Sequence, residues 1–259
     1  MHSTEVRAAV LQLVDAGLND CEVARRTGIP RRTVRDMRRY RDGPRRRNGS
    51  LQVLTERCPR CWRWAKPMRF TSEDYAELLA LYLGDGSISA CARTNRLRIV
   101  LDQKYPRVVA EARQLLERCF PTNSVHVGKG SKGRCLSVSV YSSHLLCLFP
   151  QHGEGLKHNR RIALETWQRA HIDGAPWAFL RGCINSDGCV FVNRTGRYEY
   201  LSYCFSNSSD EITALFVDIC ERLELTPRPH YNPLQGVWHV RINRRKSVAA
   251  LLKHVPPKS

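Results

Sequence analysis

The chain carries one pattern twice, and that repetition limits the folds open to its 259 residues. Pro176 to Cys189 reads P-W-A-F-L-R-G-C-I-N-S-D-G-C, and Tyr75 to Ser87 reads Y-A-E-L-L-A-L-Y-L-G-D-G-S. Each is an apolar run that fits a short helix ending in Asp-Gly. Pro176 suits a first helical turn and Gly188 the residue just past the end, so Asp187 falls at the C-terminal tip. A carboxylate at that negative pole costs stability unless a cation sits nearby. Aligning Gly86 on Gly188 sets Ala80 and Gly84 against Gly182 and Ser186, and Asp85 against Asp187. Small residues four apart share a helix face and let a second helix approach closely. Packed through those faces, the two helices bring both carboxylates side by side, where like charges call for a divalent cation or a shared proton. One apolar helix ending in Asp-Gly is an ordinary helix stop; two copies with matching small positions are more than that.

The repetition continues beyond the acids. Ile88 to Asp102 holds two extended runs around Thr94-Asn95, and Val190 to Ser206 two around Thr195-Gly196, each reading as a hairpin. Amphipathic helices follow at Pro106 to Cys119 and Asp210 to Leu223. Two further strands come next, within Val125 to Tyr141 and His230 to Asn243, and each half closes with an apolar helix near Leu145 or Val248. The sequence therefore predicts an α+β fold of helix, two strands, helix, two strands, helix (αββαββα), occurring twice as a pseudo-twofold monomer. The domain spans 71–259, with halves 71–170 and 171–259. In R-L-R-I-V-L-D, alternation puts Arg96 and Arg98 opposite Leu97, Ile99 and Leu101, so an apolar face meets the helices and a basic face looks outward. Arg194, Arg197, Lys129, Lys132, Arg134, Arg228 and Arg241 occupy comparable strands or loops. For any one of them, simple solvation of the sheet is the alternative to base contact.

The paired stretches L-L-A-L-Y-L-G-D-G (Leu78 to Gly86) and L-R-G-C-I-N-S-D-G (Leu180 to Gly188) resemble the LAGLIDADG homing endonucleases, in the single-chain form with two motifs. The likeness covers Thr71 to Lys258. Leu83 and Asn185 replace the motif's first Asp and Ala80 its Gly, while both copies keep the second Asp, the family's metal-binding acid. The resemblance implies a saddle of two sheets in the major groove of double-stranded DNA, where arginine pairs bidentately with guanine. It also implies magnesium or manganese held by Asp85 and Asp187 with the carbonyls of Gly84 and Ser186, hard oxygen donors suited to such ions. The implied reaction is hydrolysis of both strands from one pseudo-symmetric site. A basic residue beside each acid completes the family's pattern. Setting V-S-V-Y-S-S-H-L-L-C-L-F-P against V-R-I-N-R-R-K-S-V-A-A-L-L carries the two halves onward to Lys157 and Lys258, with Lys253, Arg160 or His158 as alternatives.

Ahead of this domain, Glu5 to Ala16 has apolar residues at helical spacing before Gly17 breaks it. Asp20 suits the cap of a short helix carrying Val23 and Ala24, Gly28 the turn, and Pro30 the start of a third helix with Val34 and Met37 inward. This is helix-turn-helix spacing over 1–41, with Arg31, Arg32, Arg35, Arg38 and Arg39 crowding the third helix's outer side. A solvated basic hairpin is the plainer reading, but solvated faces mix signs, and among these arginines only Asp36 is acidic. Residues 42–70 read as a basic linker, with Arg45, Arg46 and Arg47 placed to follow phosphates or enter a minor groove. Cys58 and Cys61 supply half of a zinc site, which lacks a second pair unless Cys91 or another chain contributes; a tight turn with two free thiols is the alternative.

A net charge of +18 and a pI near 9.9 suit a polyanionic partner. No run of about 18 apolar residues is present and Met1 to Arg7 lacks a signal peptide's apolar core, so neither a membrane nor export is expected. The 11 cysteines form no secreted-type framework. The expectation is a cytoplasmic protein, nucleoid-associated in a bacterium. Three functions fit: a metal-dependent site-specific endonuclease, a catalytically silent transcriptional regulator on the same fold, and an RNA-processing cofactor.

Overall fold

A computed structural model describes residues 4–39, 70–130 and 133–259. The chain divides into two units, Met1–Gln52 and Val53–Ser259. The expected linker, with Arg45, Arg46, Arg47, Cys58 and Cys61, lies outside the described residues, as does Lys132.

The first unit contains α1 (Thr4–Asp15), α2 (Asp20–Thr27) and α3 (Arg31–Arg39) around a small core of Val10, Val23, Ile29, Val34 and Met37. The cap of α2 is Asn19, one residue earlier than expected. Its Oδ1 accepts from the Cys21 and Glu22 amides, and Glu22 reaches back to the Asn19 amide. Asp20 is instead drawn inward as the first helical residue, 3.2 Å from an Arg38 nitrogen. Gly28 ends α2 at φ +70, the left-handed conformation that admits glycine without strain.

The second unit repeats itself as expected. Its first half runs α4 (Ser72–Leu83), β1 (Gly86–Ala90), β2 (Asn95–Asp102), α5 (Pro106–Cys119), β3 (Val125–Lys129), β4 (Cys135–Ser142) and α6 (Leu145–Leu148). The second runs α8 (Pro176–Asp187), β5 (Gly188–Thr195), β6 (Tyr198–Asn207), α9 (Asp210–Arg222), β7 (Arg228–Asn232), β8 (Val237–Ile242) and α10 (Arg245–His254). The antiparallel sheets have the same order, β1-β2-β4-β3 and β5-β6-β8-β7. Between the halves lies α7 (Thr166–Gly174), which periodicity did not reveal. Its first turn is held by Gln168, fully buried and donating to the Tyr75 hydroxyl at 2.8 Å.

Helices α4 and α8 pack against each other through the small residues. A Cβ on Gly182 would lie 2.6 Å from the Ala80 Cβ and 2.7 Å from the Glu77 oxygen, and one on Gly84 would lie 2.3 Å from Ser186 Oγ. Any larger side chain at either glycine forces the helices apart. At the far end of the interface, Arg181 bridges the buried Glu77 at 2.7 Å and Glu73 at 3.2 Å. Below the helices, Leu97, Ile99 and Leu101 of β2 face the core with Val138 and Val140 of β4; Tyr203, Phe205, Val240 and Ile242 do so in the second sheet. The alternation in β2 thus runs as its sequence predicts.

Candidate metal and nucleic-acid site

Both helices turn into strands through the same device. A Cβ on Gly86 would sit 2.5 Å from the Tyr82 Cα, and one on Gly188 would sit 2.6 Å from the Ile184 Cα. Each strand therefore folds back over the last turn of its own helix, and only glycine fits there. The carboxylate before each glycine is left at the junction of helix tip and sheet. Asp187 is the last residue of α8; α4 ends at Leu83, so Asp85 stands just beyond its helix.

The two acids meet across the helix interface. Burial pushes the Asp85 carboxyl up to about 6, and the negative charge of Asp187 pushes it the same way. Burial also raises Asp187, against which the Asn207 amide acts by donating to its Oδ2 at 2.7 Å. Lys157 and Lys258, named by repeat alignment, both arrive here. The Lys157 ammonium donates to the carbonyls of Tyr82 at 2.7 Å, Gly86 at 2.8 Å and Gly84. Lys258 donates to the carbonyl of Ser186 at 2.8 Å. Each lysine thus neutralises the negative end of one helix. Burial draws the Lys157 ammonium down to about 8, despite the pull of Asp187 and Asp85, and lowers Lys258 as well. Of the alternatives, Arg160 donates to Gly153 at 2.5 Å and Lys253 is exposed.

Asn207 was not legible as part of the site, because an Asn ending a strand reads as a strand stop. Arg107 was missed too: its amide donates to Ser259 at 2.9 Å and its guanidinium to Pro257 at 2.6 Å, fixing the segment that carries Lys258. Beside the acids opens a cleft of ≈ 570 Å³, lined by Asp85, Tyr105, Ser186, Cys189 and Lys258 among others.

The donor set suits a divalent cation. Two half-buried carboxylates, each raised by desolvation and the first also by the charge of the second, would lose that penalty on binding a dication, and hard oxygens are what magnesium or manganese prefers. The Gly84 and Ser186 carbonyls already accept from lysines, leaving one lone pair each for a metal. Among the described residues, no group of three or more His, Cys, Asp and Glu is arranged to hold a metal ion. A site here would rest on two carboxylates plus backbone and water.

The basic residues differ in their engagement. Arg96 donates to Ser139 Oγ at 3.0 Å and lies over the Tyr141 ring; its Nε and that of Arg98 are buried without a partner. Arg194 is tied to Glu199 at 2.7 Å, so its charge is already answered within the hairpin. Arg197 stacks on Tyr198. On α3, Arg31, Arg32, Arg35 and Arg38 are exposed, but Arg35 and Arg38 lean on Asp20 at 3.8 and 3.2 Å. The side chain of Arg39 lies outside the described residues.

Among the described residues no helix is long and apolar enough to cross a membrane. Residues 175–256 match the LAGLIDADG-like domain family and residues 1–46 the homeodomain-like domain family. No curated protein sequence matches the chain. A structure of I-DmoI in complex with DNA and Mn is 15% identical, with 73% of this chain and 98% of that one covered and a TM-score of 0.50, a likeness of fold. Mesophilic variants of the homing endonuclease I-DmoI give 16% identity, 71% and 96% coverage and a TM-score of 0.49. The N-terminal LAGLIDADG domain of DUF199/WhiA gives 15%, 75% and 86%, and 0.48.

Proposed function

The chain carries a LAGLIDADG-like domain behind a homeodomain-like one, and from that premise we propose that it is a metal-dependent, site-specific double-strand DNA endonuclease acting as a pseudo-twofold monomer in the cytoplasm. The observation that carries this reading is the pair of half-buried acids at two equivalent helix tips, each with a lysine on the adjoining carbonyl. Asp85 and Asp187 would hold the cation, with the carbonyls of Gly84 and Ser186 as backbone donors. A divalent cation bound there supplies Lewis acidity, making water a stronger nucleophile and offsetting charge on the leaving oxygen. Asn207 fixes the orientation of Asp187. Lys157 and Lys258 keep positive charge beside the place where negative charge builds on the phosphate. Arg96, Arg98, Arg194 and Arg197 face the duplex from the sheets, and Arg31 and Arg32 grip phosphates or bases from the helix-turn-helix unit, expected over 1–41.

One observation favours a catalytically silent DNA-binding regulator instead. The two ammoniums balance the two carboxylates and already take one lone pair of each backbone carbonyl a metal would use. Incubating the protein with randomised plasmid libraries and magnesium or manganese decides between them. Double-strand breaks that vanish in Asp85→Asn/Asp187→Asn, with DNA affinity kept within a few-fold, support the nuclease. Tight DNA binding with intact plasmid at every metal concentration supports the regulator, and cleavage that survives the double substitution excludes this active site.

A further inference from the structure

Two cysteines stand directly opposite each other at the edge of the acid pair. Cys189 of β5 and Cys204 of β6 are register partners in an antiparallel ladder, one rung from Gly188 and Phe205. Opposed residues in such a ladder share a face, and their Cα atoms lie within the range a disulfide spans, whichever kind of rung they occupy. Cys189 is exposed and lines the cleft with Asp85, Ser186 and Lys258; Cys204 is buried beside it. Around Cys204 the surroundings are polar: Ser206 Oγ lies 3.7 Å from its sulfur and in turn 2.8 Å from His239 Nδ1, and Arg241 is its register partner on β8.

We propose that Cys189 and Cys204 form a reversible oxidation site, at which a peroxide converts the two thiols into a cross-strand disulfide beside the acids. The step balances without any other reactant. One sulfur of the pair attacks hydrogen peroxide; an S–O bond forms, the O–O bond breaks, and the departing hydroxide takes a proton to become water. The second sulfur then attacks the sulfenic sulfur, forming the S–S bond and releasing the oxygen as a second water. Two electrons pass from sulfur to peroxide. Ser206, itself bonded to His239, and the guanidinium-bearing Arg241 opposite on β8 give the Cys204 sulfur a polar setting that favours its thiolate. The pair thus keeps one sulfur reactive and its resolving partner in contact.

The bridge ties β5 to β6 next to the strand ends that hold Asp187 and Asn207, and it removes the Cys189 thiol from the Lys258 ammonium. Resting on the nuclease reading, this predicts that oxidation lowers cleavage roughly ten-fold, since small displacements of positioning groups cost rate steeply. Full-length protein carrying Cys58→Ser and Cys61→Ser would be treated with stoichiometric hydrogen peroxide, alkylated, and mapped by mass spectrometry. We expect a Cys189–Cys204 linked peptide, lost on dithiothreitol treatment. Either Cys204→Ser or Cys189→Ser should leave the remaining partner alkylatable. Two free thiols after peroxide, or a bridge from either sulfur to the nearby Cys135, would overturn the site. A bridge that forms while cleavage stays at the reduced rate would overturn its regulatory consequence. A bridge in a protein that cuts in neither state leaves the site standing and removes only the nuclease reading.

Discussion

The two halves of the second unit share element order and strand order, yet they surround their acids differently. In the second half Asn207 donates to Asp187. Because Gly188 pairs with Phe205 and Gly86 with Ile99, the first-half position equivalent to Asn207 is Leu101, an apolar core residue with no donor to offer. The lysines show the opposite bias. Lys157 caps three carbonyls around Asp85, whereas Lys258 reaches the single carbonyl of Ser186. One half supports its acid through a neutral amide and the other through a half-buried charge, so a common fold presents two chemically distinct carboxylates.

The largest expected effect comes from removing those charges separately. If the chain cleaves DNA as proposed, Lys157→Met and Lys258→Met should each slow cleavage by roughly ten-fold or more with little change in DNA affinity, as expected when transition-state charge stabilisation is lost. The halves should differ in a second readout. Lys157→Met strands three carbonyls and lowers stability, while Lys258→Met acts mainly on rate. Nicked and linear plasmid followed over time, with melting curves on the same samples, tests this; equal melting for both variants would remove the asymmetry, and wild-type rates for both would leave the lysines as helix caps.

A smaller effect separates the acids by pH. Without metal, burial raises the Asp85 carboxyl to about 6 and lowers the Lys157 ammonium to about 8, so protons compete with the cation below the first and the ammonium is lost above the second; cleavage at limiting metal should be greatest between them. On the acid side Asp85 lacks the amide that lowers Asp187. Nicked plasmid should therefore accumulate as the pH falls below about 6, and Asn207→Leu should remove that excess of nicks by weakening the second half as well. Concerted loss of both cuts in the wild type would show that the acids titrate together.

The outer sheet faces differ too. Arg96→Ala with Arg98→Ala should reduce the log–log salt slope of DNA binding by roughly 2, about 0.9 per released phosphate contact. Arg194→Ala should change it less, because Glu199 already pairs that charge. Tyr198→Ala and Tyr200→Ala, exposed on the second sheet, should weaken binding without changing the slope, since they remove uncharged groove contacts and release no counterions. A slope that falls equally for Arg194→Ala would mean that its bridge opens on DNA.

Much of this arrangement was readable in the sequence, because the features that carry it are local or repeated. Gly86 and Gly188 follow their acids at places where a strand doubles back on a helix, and Ala80, Gly84, Gly182 and Ser186 sit at helical spacing. Lys157 and Lys258 emerged from the repeat, since equivalent positions in duplicated halves occupy equivalent places. Asn207, Arg107 and α7 were not readable. Asn207 and Arg107 act through contacts distant in sequence, and α7 owes its first turn to a buried glutamine that propensity treats as a surface residue. The capping of α2 by Asn19 was displaced by one residue because Asp20 serves an ion pair instead of a cap.

The smallest effect concerns stability without metal. Asp85 is raised from 3.8 to about 6 in the fold, so the native state binds its proton more tightly than the unfolded chain does. The stability this contributes is fully present below pH 4 and is lost as the pH rises through about 6. Above that, the ionised Asp85 is a cost of at most about 3 kcal/mol, and on the order of 1 kcal/mol once water relaxes around the cleft. Asp85→Asn should therefore melt higher than wild type at pH 8 in a chelator, by a few degrees, with the gap closing toward pH 4. Asp187→Asn should gain less, because it also gives up the charge-assisted bond from Asn207. Adding magnesium should reverse the order at pH 8, since a cation that binds only the folded state stabilises the wild type by mass action. A gap independent of pH would mean that Asp85 is not raised in the fold, and a larger gain from Asp187→Asn would mean that the second acid carries more of the repulsion than the first.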